Sequence, residues 1–171
     1  MNILLLGMPG SGKTKIGKLL ARRLKRGFVD VDEFIKQETG KDSAQHLQKL
    51  GDREFLKFEA ALVQKIQATD SVIATSGSTP LVKAGIKHLK KNAFAIWIKP
   101  PLQILKKRVK KRSDGTSRIV GMQSKTLAEI WEWRKKAYAE HSQAILKIEA
   151  ESSKAEVVDQ LIRILDKNVI I

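Results

Sequence analysis

The 171-residue chain contains no cysteine, so neither a disulfide framework nor a thiolate site can contribute to what it does. Histidine is nearly as scarce. His46, His88 and His141 are scattered without the short spacings of a metal cluster, and no zinc site is expected. Long apolar runs are missing as well: no stretch approaches the ~18 consecutive apolar residues of a membrane span. The opening run ILLLG is too short, and has no basic segment before it, to read as a secretory leader. A cytoplasmic chain with no membrane partner is the expectation. Acidic residues are in short supply, 18 against 33 lysines and arginines, giving a net charge of +15. The basic residues cluster at Lys13 to Arg26, Lys83 to Lys91 and Lys99 to Arg112. Such clusters usually form a solvated surface, although a nucleotide or another polyanionic small ligand fits the same charges. Nucleic acid is disfavoured, because no helix-turn-helix, RNP or zinc-finger signature accompanies the charge.

What is present is ordinary for a globular protein, with 42% hydrophobic and 30% charged residues. No internal repeat or low-complexity linker divides the chain, so one domain over 1–171 is expected, and a monomer. The pattern alternates strand and helix. Short apolar runs at NILLLG, FVDVD (28–32), SVIAT (71–75) and AFAIWI (93–98) read as strands, and 145–150 as a fifth. Helical spacing fills 13–25, 43–68 with a break near Gly51, 81–91, 102–112, 124–142 and 156–165. Strands alternating with helices imply an α/β fold of three layers, a parallel sheet covered on both faces. The polar, aperiodic segment 113–123 is the candidate lid.

Gly7 to Thr14 reads GMPGSGKT, which is GxxxxGK[ST] in full, after an expected strand and before an expected helix. Gly7, Gly10, Ser11 and Gly12 supply a loop whose backbone N–H groups can turn around phosphate oxygens, and the helix N-terminus adds its dipole. Lys13 offers a charge to the β/γ-phosphates and Thr14 a hydroxyl to Mg²⁺; Lys15 follows at the start of the helix. The motif points to a nucleoside triphosphate without naming the reaction. No NKxD-type guanine-reading motif is present, which disfavours a GTPase.

Asp30 and Asp32 lie two apart. On a continuing strand both carboxylates would share a face near its carboxyl end. The other reading of the same residues is a strand end that caps the next helix, with Asp32 as N-cap. Spacing leaves both open. The ordered set GxxxxGKT, FVDVDEFI, a Gly–Phe–Glu segment, VIAT before a glycine turn and late WRKKAY resembles shikimate kinase over nearly the whole chain. The resemblance implies a P-loop kinase with sheet order 2-3-1-4-5, ATP and Mg²⁺ as cofactors, a lid, and a small hydroxylated acceptor bound around 32–60. It also implies residue roles. Thr14 and Asp30 would serve Mg²⁺, Asp32 the acceptor hydroxyl, Arg134 an acceptor carboxylate, lid Arg118 the transferring phosphate, and Arg108 the adenine side.

Two positions depart from the family pattern. In GDREFLKFEA, Gly51, Phe55 and Glu59 match, but an arginine of the carboxylate clamp is Leu56. A charge-assisted hydrogen bond lost this way is worth ~1.5–3 kcal/mol. Arg53, three residues earlier, is a candidate to replace it; Lys57 points about 100° away. After VIAT, a run of three glycines is Ser76-Gly77-Ser78, so Gly77 alone keeps a bare backbone against the acceptor. A kinase for another hydroxylated metabolite or a nucleoside monophosphate is therefore an alternative to a shikimate kinase, as is a non-catalytic ATP-binding protein. Trp97 is expected in the core. Trp131 and Trp133 face different ways, one inward and one toward the pocket rim near Arg134, with Tyr138 packed beside that arginine.

Overall fold

The computed structural model describes residues 1–112, 119–150, 152–168 and 170. Five parallel strands form one sheet in the order β2-β3-β1-β4-β5: β1 (Asn2–Leu6), β2 (Gly27–Asp30), β3 (Ser71–Ala74), β4 (Ala93–Lys99) and β5 (Ala144–Lys147). Side chains alternate across a strand, and here both faces are apolar. Leu4 and Leu6 of β1 join Ile73, Ala95 and Trp97 in one core, while Ile3 and Leu5 join Val72, Phe94, Ile96 and Ile98 in the other. The second core is closed by α1 (Lys13–Leu24) and α7 (Lys154–Lys167) through Ile16, Leu20, Val157 and Leu161. The first is closed by α2 (Val31–Thr39), α3 (Ser43–Val63), α4 (Lys83–Lys90), α5 (Leu102–Arg112) and α6 (Leu127–His141). The sequence order of strands and helices thus yields the expected three layers. Trp97 lies in the core as expected.

Local chemistry sets the boundaries. Thr126 and Glu129 form a reciprocal cap at the start of α6, and Ser153 and Glu156 do the same for α7. These caps move both helix starts from those suggested by apolar spacing. Helix α3 does break at Gly51, where φ is 73° and ψ is 170°.

Of the two readings left open for Asp30 and Asp32, the structure takes the helix cap, with Asp30 rather than Asp32 as the capping residue. The strand ends at Asp30, and Asp32 lies in the first turn of α2. The cap is Asp30: its Oδ1 accepts hydrogen bonds from the backbone N–H of Asp32 at 3.0 Å and of Glu33 at 3.3 Å. Asp30 and Asp32 therefore do not share a strand face.

Candidate functional site

A cleft of about 650 Å³ opens at the carboxyl edge of the sheet, lined among others by Thr14, Asp30, Asp32, Ser76, Gly77 and Arg134. The loop between β1 and α1 stands at this edge because it leaves the carboxyl end of β1, the central strand. It turns on Gly10 and Gly12, at φ of 83° and 96°, which side chains rarely adopt. Ser11 is fully buried and its N–H donates to the Met8 carbonyl at 3.1 Å. Lys13 is buried, and its Nζ donates to the carbonyls of Gly7 at 2.7 Å and Met8 at 3.0 Å, and to Ser11 Oγ at 3.4 Å. The ammonium is thereby fixed inside the loop. Lys15, two residues on in the same turn, faces solvent. Arg108 of α5 lies over the loop from outside, donating to the Gly10 carbonyl at 3.1 Å.

Thr14 and Asp30 converge: the hydroxyl donates to Asp30 Oδ2 at 2.7 Å. The two oxygens are the hard donors that suit Mg²⁺, which commonly takes one or two protein oxygens and completes its shell with phosphates and water. Among the described residues no group of three or more His, Cys, Asp or Glu could hold a metal unaided, so a metal here would draw most of its ligands from a phosphate chain. Asp32 is exposed to the cleft, with Ser43, Asp30 and Glu59 near its carboxyl. Desolvation is the main cause that pushes it from the usual 3.8 up to about 6, and the negative charges of Glu59 and Asp30 push the same way. The Ser43 hydroxyl, donating at 2.9 Å, and Lys13 pull it partly back.

The opposite wall is the turn after β3. Gly77 is needed for closeness: a Cβ there would sit 2.4 Å from Pro9 Cδ of the phosphate loop. The Gly77 carbonyl accepts from Arg134 Nη1 at 2.9 Å and from the Tyr138 hydroxyl at 2.7 Å. Arg134 Nη2 donates to the Val120 carbonyl at 2.7 Å, and the residue is 1% exposed. Tyr138 does pack beside it, and burial pushes its phenol up to about 12. Ser76 and Ser78 flank Gly77 in this turn. Their hydroxyls donate to the buried carboxylate of Glu59, each at 2.5 Å, and Thr79 adds a third bond at 2.6 Å.

Lys13, Thr14, Asp30, Asp32, Gly77 and Arg134 thus meet at one edge, with Arg108 on the loop's outer side. Arg53 does not join them. It is exposed on α3 and is not part of the cleft lining, and Leu56 packs against Leu47, Phe55 and Val120. Trp133, 45% exposed, lies against Gly121 outside the cleft lining, while Trp131 is buried. Arg118 and most of the segment assigned to the lid lie outside the described residues. In the part that is described, the Gly121 N–H donates to Asp52 at 3.0 Å. Sequence reading missed that contact and the Glu59 cluster; the hydroxyl-bearing pair Ser76 and Ser78 was the one signal that pointed toward it.

The family model described as shikimate kinase matches residues 9–166. Human threonine synthase-like 1 is 34% identical over 168 residues, covering 97% of this chain and 22% of that protein. The chain therefore spans less than a quarter of that relative's length. Shikimate kinase of Persephonella marina is 31% identical over 163 residues, covering 94% of this chain and 96% of its own. Among solved structures, shikimate kinase from Acinetobacter baumannii in complex with shikimate superposes with a TM-score of 0.81 at 24% identity, covering 98% of this chain and 93% of that one. Shikimate kinase from Aquifex aeolicus superposes with a TM-score of 0.78 at 25% identity, covering 99% of each chain.

Proposed function

Because the chain belongs to the shikimate kinase family, we propose that it transfers the γ-phosphate of ATP in line to a hydroxyl of a small acceptor held in the cleft, with shikimate the first acceptor to test. The observation that carries this reading is the Thr14–Asp30 pair and Asp32 lining one cleft, with Lys13 held in the adjoining phosphate loop. Phosphoryl transfer asks a protein mainly for positioning and charge stabilisation. The loop amides and the N-terminus of α1 would cradle the phosphates. Lys13, fixed within the loop, places a positive charge beside them. Thr14 and Asp30 would hold Mg²⁺, which when bound neutralises phosphate charge. Asp32, with a carboxyl near 6, is suited to orient the acceptor hydroxyl and receive its proton. Arg118 is assigned to the transferring phosphate by resemblance. The acceptor region is 32–60 together with the 76–79 turn.

A second reading, a kinase for a different hydroxylated metabolite, is favoured by Leu56 on its apolar cluster and by the hydroxyls around Glu59.

The test is coupled ADP release with MgATP, with and without shikimate, beside Lys13→Ala. Shikimate-dependent turnover that is lost in the variant establishes the first reading. ATP binding without shikimate stimulation removes shikimate and leaves the second. Turnover that survives Lys13→Ala would mean that a contaminant, not this site, does the chemistry.

A further inference from the structure

The carbonyl of Val120 and the N–H of Gly121 belong to one peptide unit, and two charged side chains grip it. Arg134 Nη2 donates to the carbonyl at 2.7 Å, and Asp52 Oδ2 accepts from the N–H at 3.0 Å. A peptide unit carries a dipole of about 3.5 D, negative at its oxygen and positive at its hydrogen. A guanidinium at the first and a carboxylate at the second match that dipole, and both bonds are of the charge-assisted kind. The two side chains come from different elements. Arg134 projects from α6 and also donates to the Gly77 carbonyl at 2.9 Å, so it joins this segment to the turn after β3. Asp52 follows the Gly51 break in α3, and the same half of that helix brings Phe55 to the cleft.

The gripped segment forms part of the cleft. Ile119 and Val120 line it together with Leu47 and Phe55. Ile119 and Leu47 also line a second cavity of about 210 Å³, with Asp52, Met122 and Gln123. The segment thus borders two open volumes, and close packing does not hold it on every side. Val120 does pack on Leu47 and Phe55, but apolar contact is non-directional. The two hydrogen bonds to the peptide supply the direction that the packing lacks.

We infer that Asp52 is a positioning residue for the acceptor site: with Arg134 it fixes the Val120–Gly121 peptide, and through it the Ile119–Val120 wall of the cleft. Asp52 is not itself part of the cleft lining, so its influence on a bound acceptor passes through that peptide. A shift of about 1 Å in a positioning group is enough to cost on the order of 100-fold in rate. The inference rests on the kinase reading above and adds a residue to its acceptor site.

Asp52→Ala removes the oxygen that receives the Gly121 N–H, whereas Asp52→Asn keeps an oxygen that can take the same bond. Coupled ADP release with shikimate and MgATP gives kcat and both KM values for the intact chain and the two variants. Asp52→Ala is expected to raise KM for shikimate by roughly 10-fold or more while KM for ATP stays within about 2-fold, and Asp52→Asn to recover most of the loss. A merely structural role would lower kcat with the active fraction and leave both KM values in place. That result overturns the inference. So does an unchanged KM for shikimate, an equal rise in both KM values, an Asn variant as impaired as the Ala variant, or a melting curve that shows Asp52→Ala to be unfolded. If the parent does not turn shikimate over, shikimate is lost to the kinase reading, and NMR of the ligand-free chain decides the inference by itself. Loss in Asp52→Ala of the NOEs from the Val120 methyls to Leu47 and Phe55, restored in Asp52→Asn, sustains it; their retention in Asp52→Ala ends it.

Discussion

Asp32 sits where a carboxylate is costly to the fold. Its carboxyl titrates near 3.8 when free and near 6 in the folded chain, so folding disfavours its charged form. At a pH below both values the group is neutral in either state and contributes nothing. As pH rises through this window the unfolded state ionises first, and stability is lost until the folded carboxyl has ionised too. Because the side chain opens to a water-filled cleft, the cost is on the order of 1 kcal/mol rather than the full value of the shift. Asp32→Asn removes the charge and can keep the bond from Ser43, whose hydroxyl donates to Oδ1. Its melting temperature should match the parent at about pH 3 and exceed it by about 2–4 °C at about pH 8, while acceptor-dependent turnover falls by roughly 100-fold or more. A variant less stable than the parent at pH 8 would show that Asp32 supports the fold instead. The pairing of gained stability with lost turnover is the mark of a group retained for chemistry.

Helix α3 turns on Gly51, and the next residue, Asp52, reaches the Gly121 N–H at 3.0 Å. At φ 73° and ψ 170° the backbone lies in a region almost reserved for glycine, yet a Cβ there would meet nothing within 4 Å. Gly51→Ala therefore isolates backbone strain and should cost about 1–3 kcal/mol in denaturant unfolding. Gly40, also in open space but at φ 70° and ψ 3°, is in the left-handed helical region that side chains tolerate better. Gly40→Ala should cost less, and equal losses would rule out strain at the kink. This break was legible because a glycine interrupted a long apolar period. The phosphate loop was legible because its fixed residues are contiguous, and the sheet because its apolar runs recur between helical ones. Helix α2 was legible only as a helix that Asp32 could cap, and its true start was missed, because FVDVD alternates like a strand and the buried positions, Val31 and Ile35, are too few to show a helical period. The bonds to Glu59 span 17 to 20 residues of sequence, so only folding brings them together. Arg53 failed for a related reason: spacing along a helix says which residues share a face, but not which face meets the cleft.

At the scale of the whole molecule a net charge of +15 surrounds a cleft whose acceptor end presents carboxylates. The excess positive charge repels itself in the compact state. Against this stand ion pairs such as Arg23–Asp159, Lys57–Glu54, Lys65–Glu38 and Lys135–Glu132, all between well-exposed side chains. Pairs of that kind contribute ~0–1 kcal/mol each, and often nothing measurable. Salt weakens both effects, so the sign of its influence shows which is larger. Raising NaCl from about 10 mM to about 300 mM shortens the screening length from ~30 Å to less than ~8 Å. That change removes most long-range repulsion among the basic clusters, whereas contacts within a few ångström are screened less. The melting temperature of the ligand-free chain should therefore rise by a few degrees over this range, equivalent to a gain on the order of 1 kcal/mol. Chloride is the appropriate anion, since sulfate could bind the phosphate loop and stabilise the chain by occupancy. A melting temperature that falls with NaCl would mean that the surface pairs outweigh the net charge, and that the basic clusters are already balanced where they fold together.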